Sequence, residues 1–193
     1  MPADTLGFME NEGLLSALAF PFRLAYALPS VISWMGRHGD AVARPIVRAA
    51  AAALRARADE LGGVPLFAAG FCFGGRYACV LAAPASAGAA PLVDACVSAH
   101  PSNLTPAEAA ATEAPLLYCV VPTDMFTEAA ALKAAAAQRA RGTGTVAEAI
   151  VYKGQSHGFA VRGGPSSVAA RAKCVGDVTA FFHRVAAAAA AKK

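Results

Sequence analysis

Gly70-Phe71-Cys72-Phe73-Gly74-Gly75 follows the apolar run Val64-Pro65-Leu66-Phe67-Ala68-Ala69 and leads into a second apolar stretch, Arg76–Ala83. The order reads as a strand, a sharp turn and a helix. A strand that folds back into a helix this abruptly needs glycines on both sides of the turning residue. Only glycine lets the two backbones pass closely and tolerates the dihedrals such a turn imposes. The side chain at the turn is then pushed out beyond the carboxyl end of the strand. Here that side chain is a thiol, Cys72.

Outward from this turn, apolar strands and helices alternate. Helices are expected over residues 10–37, interrupted near Pro21 and Pro29, and over 41–60, stopped by Gly62-Gly63. Strands are expected at 64–69, 92–99, 115–121 and 145–152. Further helices are expected at 75–83, at 127–141 and from Ser166 into an alanine-rich tail that frays over 186–193. This alternation predicts an α/β fold, a mostly parallel sheet of about four strands flanked by helices. The 193 residues suffice for one domain, taken as 1–193, and show no internal repeat or linker.

Composition narrows the function classes. The chain is 56% hydrophobic and 16% charged, which argues against disorder. Its net charge of +4 comes without a dense Lys/Arg cluster mixed with aromatics, so a nucleic-acid partner is not expected. The apolar stretch Leu14–Trp34 is interrupted by Pro21, Arg23 and Pro29 and reads as core-facing helix, not a membrane span. No leader is visible after Met1-Pro2-Ala3-Asp4, and a reducing, cytoplasmic setting is expected. Five cysteines, an odd number with no CxxC pair, suggest neither a disulfide framework nor a zinc site. Cys79, Cys96, Cys119 and Cys174 lie in apolar runs and read as buried small hydrophobes. No metal or cofactor is expected.

In open parallel sheets, chemistry collects beyond the carboxyl ends of the strands. Cys72, Asp124 and His157 each follow a different expected strand at that end. A thiol of ordinary pKa is a weak nucleophile at neutral pH, because the thiolate is the attacking form. An imidazole beside it can take the proton and later return it to a leaving group. A carboxylate on the far ring nitrogen fixes the tautomer and stabilises the imidazolium.

The segments GFCFGGRYA, SAHPS, PTD and YKGQSHGFAVRGG resemble the dienelactone hydrolases (carboxymethylenebutenolidases), a branch of the α/β-hydrolases, over about residues 30 to 185. The turn at Cys72 is similar to their nucleophile elbow, with cysteine in place of the more common serine. The resemblance implies Cys72 as nucleophile, Asp124 as triad acid and His157 as triad base. It implies that the Phe73 N–H donates to an oxyanion and that Arg162 holds a substrate carboxylate. The partner is then a small ester or lactone. Members of the family begin with further strands, which this chain is expected to lack. The strand before Cys72 is thereby expected to lose a neighbour. For this reason a silent family member serving as a binding or scaffold module stands as the alternative to a hydrolase.

Other residues carry two readings. Trp34 and Phe159 can wall an apolar pocket or pack in the core. His100 can line the pocket or sit as a structural histidine. Arg76 reads as one half of a structural ion pair, and His38 and His183 as surface residues. The sequence sets no oligomeric state.

Overall fold

The computed structural model describes residues 14–124, 126–141, 146–162 and 164–191. The expected helix start near residue 10, the strand start at Thr145 and the terminal Lys192-Lys193 lie outside the described residues. By its contacts the chain divides into two compact units, one ending at Ile46 and the other beginning at Val47. The first contains α1 (Leu14–His38) and the start of α2 (Asp40–Glu60). α1 runs unbroken through Pro21 and Pro29, where a break was expected. A proline removes one hydrogen bond and bends a helix, but does not end it when the apolar pattern continues on both sides.

The second unit carries the sheet. Four strands, β1 (Phe67–Phe71), β2 (Ala95–Ala99), β3 (Leu116–Val120) and β4 (Ala147–Val151), pair in sequence order, all parallel. β1 stands at one edge, as expected for a strand short of a neighbour. Between the strands run α3 (Phe73–Leu81), α4 (Pro106–Ala111) and α5 (Glu128–Ala140), and α6 (Val168–Ala190) follows β4.

β2 and β3 are buried along their whole length, so neither alternates polar with apolar. Their successive side chains instead enter two separate cores. Cys96, Leu116, Tyr118 and Val120 face Cys79 and Leu81 of α3 and Ala131 and Ala135 of α5. Val97, Ala99, Leu117 and Cys119 face Cys174 and Phe181 of α6. The four cysteines other than Cys72 are all buried here and make no disulfide.

β1 and β2 each begin three residues later than expected, at Phe67 and Ala95, and one helix is unexpected. β1 begins at Phe67, three residues late, because Val64 N donates to Ala58 O and so closes the end of α2. Pro65 has no N–H to give. Leu66 N then donates to the Asp94 carboxylate (2.7 Å) and Asp94 N donates to Leu66 O (2.8 Å), bracketing the entry to β1 and β2. α4 was not expected at all, although Thr105-Pro106-Ala107-Glu108 is a capping box. The Thr105 hydroxyl accepts from Glu108 N, and the Glu108 carboxylate accepts from Thr105 N.

Candidate active site

The turn after β1 forms because one atom is missing. A Cβ on Gly70 would sit 2.1 Å from the carbonyl oxygen of Gly74, so only glycine lets α3 start this close to the strand. Gly75 is nearly as constrained, since its Cβ would meet that of Pro101 at 3.0 Å. Cys72 at the apex takes φ 51° and ψ −120°, a conformation that side-chain-bearing residues rarely adopt. It is held there from two sides. Its N–H donates to Ala99 O at the end of β2, and its carbonyl accepts from Gly75 N and Ser102 N.

Asp124 follows β3. The helix after it is capped by Thr127, whose hydroxyl accepts from Ala130 N, so the Asp124 carboxylate is not needed as a cap. Its side chain is almost fully buried, with Oδ1 2.7 Å from His157 Nδ1. His157 lies on the loop after β4, within a run of turns, and its Nε2 is 3.1 Å from Cys72 Sγ. Thus side chains separated by up to 85 positions meet in the order carboxylate, imidazole, thiol.

The electrostatics follow from these contacts. The hydrogen bond to Asp124, then that to Cys72, raises His157 from an ordinary 6.5 to about 9. The His157 hydrogen bond is the main cause that lowers Cys72 from 9.0 to about 7, against a burial effect in the opposite sense. The Ser102 hydroxyl and the Phe73 N–H lower it further. Between about pH 7 and 9 the pair is therefore thiolate and imidazolium.

His100 closes β2 and is fully buried. Its ring meets that of His157 edge-on, with centroids 5.0 Å apart, and lies 5.7 Å from Phe159. Among the described residues, neither ring nitrogen has a hydrogen-bond partner. Burial, then the neighbouring His157 charge, pushes His100 down to about 4, so it stays neutral where His157 is charged. Phe159 is 1% exposed and stacks against Tyr152 within the core on the α6 side. Its ring supports His100 from behind. Arg162 passes over Gly158, where a Cβ would lie 2.9 Å from its Nε, and its charge reaches His100. Trp34 lies on α1, in the first unit, stacked over His38. Arg76 forms the expected structural pair, bidentate to Glu108 and largely buried.

Sequence reasoning passed over Ser102. Its Oγ is 3.3 Å from Cys72 Sγ and 3.4 Å from His157 Nε2. The segment SAHPS carries part of the family resemblance, but nothing in its spacing aims this hydroxyl at a sulfur thirty residues away. Among the described residues, no cluster of three or more His, Cys, Asp or Glu side chains could hold a metal. Nor is any helix there long and apolar enough to cross a membrane.

Residues 30–186 match the dienelactone hydrolase family. No curated protein matches the chain significantly. Among solved structures, a provisionally assigned dienelactone hydrolase from Klebsiella pneumoniae is similar at 22% identity, covering 67% of this chain and 57% of its own (TM-score 0.49). The thermophilic esterase Est2 of Thermogutta terrifontis, with propionate bound, is similar at 17% identity, covering 72% of this chain and 63% of its own (TM-score 0.52). The chain thus spans about three-fifths of the length of these neighbours. The likeness to Est2 speaks for the α/β-hydrolase fold, and the match over residues 30–186 speaks for descent: the chain belongs to the dienelactone hydrolase family.

Proposed function

We propose that this protein hydrolyses small carboxylic esters or lactones by acyl transfer to Cys72. The observation that carries the reading is the line from Asp124 through His157 to Cys72, with contacts of 2.7 and 3.1 Å. It ends on a sulfur whose pKa is brought down to about 7.

In the resting pair the thiolate attacks the carbonyl carbon, and the developing oxyanion faces the Phe73 N–H at the start of α3. The His157 imidazolium gives its Nε2 proton to the departing alkoxide, leaving an acyl thioester on Cys72. Neutral His157 then takes a proton from water as the water adds to the thioester. Collapse breaks the C–S bond, releases the acid and restores the thiolate. Asp124 holds His157 in the tautomer that presents Nε2 to sulfur and stabilises each imidazolium. Neutral His100 packs against the His157 ring without adding a competing charge. Arg162 would hold a carboxylate on the substrate, which favours small anionic esters or lactones. The mechanism needs no metal or organic cofactor, and a reducing compartment such as the cytoplasm would keep the sulfur reactive.

The test is hydrolysis of p-nitrophenyl acetate by the wild type and Cys72→Ala, with mass spectrometry of the quenched enzyme. The expected result is an acetyl adduct on Cys72 during turnover and a loss of at least about a thousandfold in kcat/KM on substitution. Turnover that survives Cys72→Ala would remove the thiol from the mechanism.

A further inference from the structure

Among the described residues, three that are not glycine have a positive φ: Cys72 (51°), His100 (35°) and Asn103 (58°). The first is the apex of the elbow. The other two flank Pro101-Ser102, the turn that faces it. Such conformations persist only where the surrounding structure enforces them. The enforcement here is visible. His100 N donates to Cys119 O (2.7 Å), Ser102 N donates to Cys72 O (3.0 Å), and buried Pro101 fits against Gly75. The strained turn therefore has a definite product: it carries the Ser102 hydroxyl to 3.3 Å from Cys72 Sγ and 3.4 Å from His157 Nε2.

We propose that Ser102 is a further catalytic residue, whose hydroxyl donates to the Cys72 thiolate both in the resting enzyme and as sulfur is expelled from the acyl-enzyme. This rests on the acyl-transfer reading above and adds a member to it. A hydroxyl is one donor with a rotatable proton, and a thiolate is an acceptor only. A charge-assisted hydrogen bond of this kind favours the ionised sulfur. Its effect appears twice in the cycle. At rest it raises the fraction of thiolate. In the second half-reaction, water adds to the thioester carbon with its proton passing to His157 Nε2. The C–S bond then breaks with its electron pair going to sulfur. A sulfur better stabilised as an anion is a better leaving group.

The other groups that act on this sulfur are the His157 imidazole and the Phe73 N–H. Asp124 acts through His157, and His100 and the charge of Arg162 lie behind it. Arg76, one turn along α3, is engaged by Glu108. The contribution of Ser102 lowers the thiol pKa in the same sense as that of His157.

The test uses Ser102→Ala together with the near-isosteric pair Ser102→Thr and Ser102→Val. Two readouts are taken: the pH dependence of Cys72 alkylation by iodoacetamide, and kcat and kcat/KM for p-nitrophenyl acetate. Ser102→Ala is expected to move the alkylation midpoint upward by about one pH unit. It should lower kcat about tenfold, more than kcat/KM, because expulsion of sulfur limits the later step. Thr should keep the wild-type midpoint and Val should not. An unmoved midpoint in Ser102→Ala, or equal shifts in Thr and Val, would overturn the proposal. Should the Ala variant fail to fold, the Thr–Val comparison decides alone. A wild type that itself titrates near 9 would instead sink the Cys72 reading, so the two failures are distinguishable.

Discussion

The two ends of this sheet are built from the same four strands and do opposite things. At the carboxyl ends the backbone is forced: every non-glycine positive φ among the described residues lies there, beside a thiol, two imidazoles and a buried carboxylate. At the amino ends the chain is relaxed and closed by ordinary bonds. Leu66 and Asp94 bracket the strand entries, and Arg55 Nη2 reaches the Asp94 carboxylate at 2.6 Å. Two cavities open there, of about 500 and 580 Å³, lined by residues such as Val93, Pro115 and Gln138 in one and Phe67, Phe181 and Val185 in the other. Neither lining pairs a thiol with an imidazole, whereas the carboxyl end holds Cys72 against His157 in a strained frame. Strain and shifted pKa values gather at the carboxyl end.

The same contrast holds among the cysteines. Cys72 meets an imidazole and is pulled down to about 7. Cys96, deep in one core, is pushed well up by burial and then by the Cys79 thiol, and Cys119, in the other, by the Cys174 thiol and then by burial. On the proposed mechanism, one residue type serves as nucleophile or as inert filler according to what surrounds it.

Two substitutions should separate the ends. Gly70→Ala places a methyl 2.1 Å from a backbone oxygen that cannot rotate away. It should cost about 3 kcal/mol or more in chemical unfolding and also slow Cys72 alkylation near pH 7, because the elbow must open. A Gly70→Ala protein of wild-type stability and reactivity would show that the close approach of strand and helix is not required. At the amino end, Asp94→Ala removes the carboxylate that accepts from Leu66 N and Arg55. Both contacts are partly exposed, so the loss should be about 1 kcal/mol in unfolding. The alkylation midpoint should be unchanged. A shift of that midpoint would mean the two ends are coupled through the sheet.

How much could be read without coordinates depended on how local the cause was. Cys72 was legible because Gly70 and Gly75 frame it within six residues. Asp124 and His157 were legible because each follows a strand and the three residues run in the chain order of the α/β-hydrolases. The late start of β1 was not, because it depends on Val64 N being claimed by Ala58 O. α4 could have been found from Thr105 and Glu108, whose spacing is the signal. Ser102 could not. Its position depends on the left-handed turns at His100 and Asn103 and on the parallel register that sets Phe71 beside Ala99. Phe159 and His100 each carried two readings, and their burial depends on packing between β2, β4 and the loops after them, which no sequence window contains.

The most direct test of the central claim is the rate of Cys72 alkylation across pH, measured for the wild type and for His157→Ala. The account predicts a wild-type midpoint near 7. Losing the imidazole should move it upward, toward the ordinary thiol value of 9.0. A wild-type midpoint already near 9, or a midpoint that stays in place when His157 is removed, would contradict the claim that these two side chains share a proton.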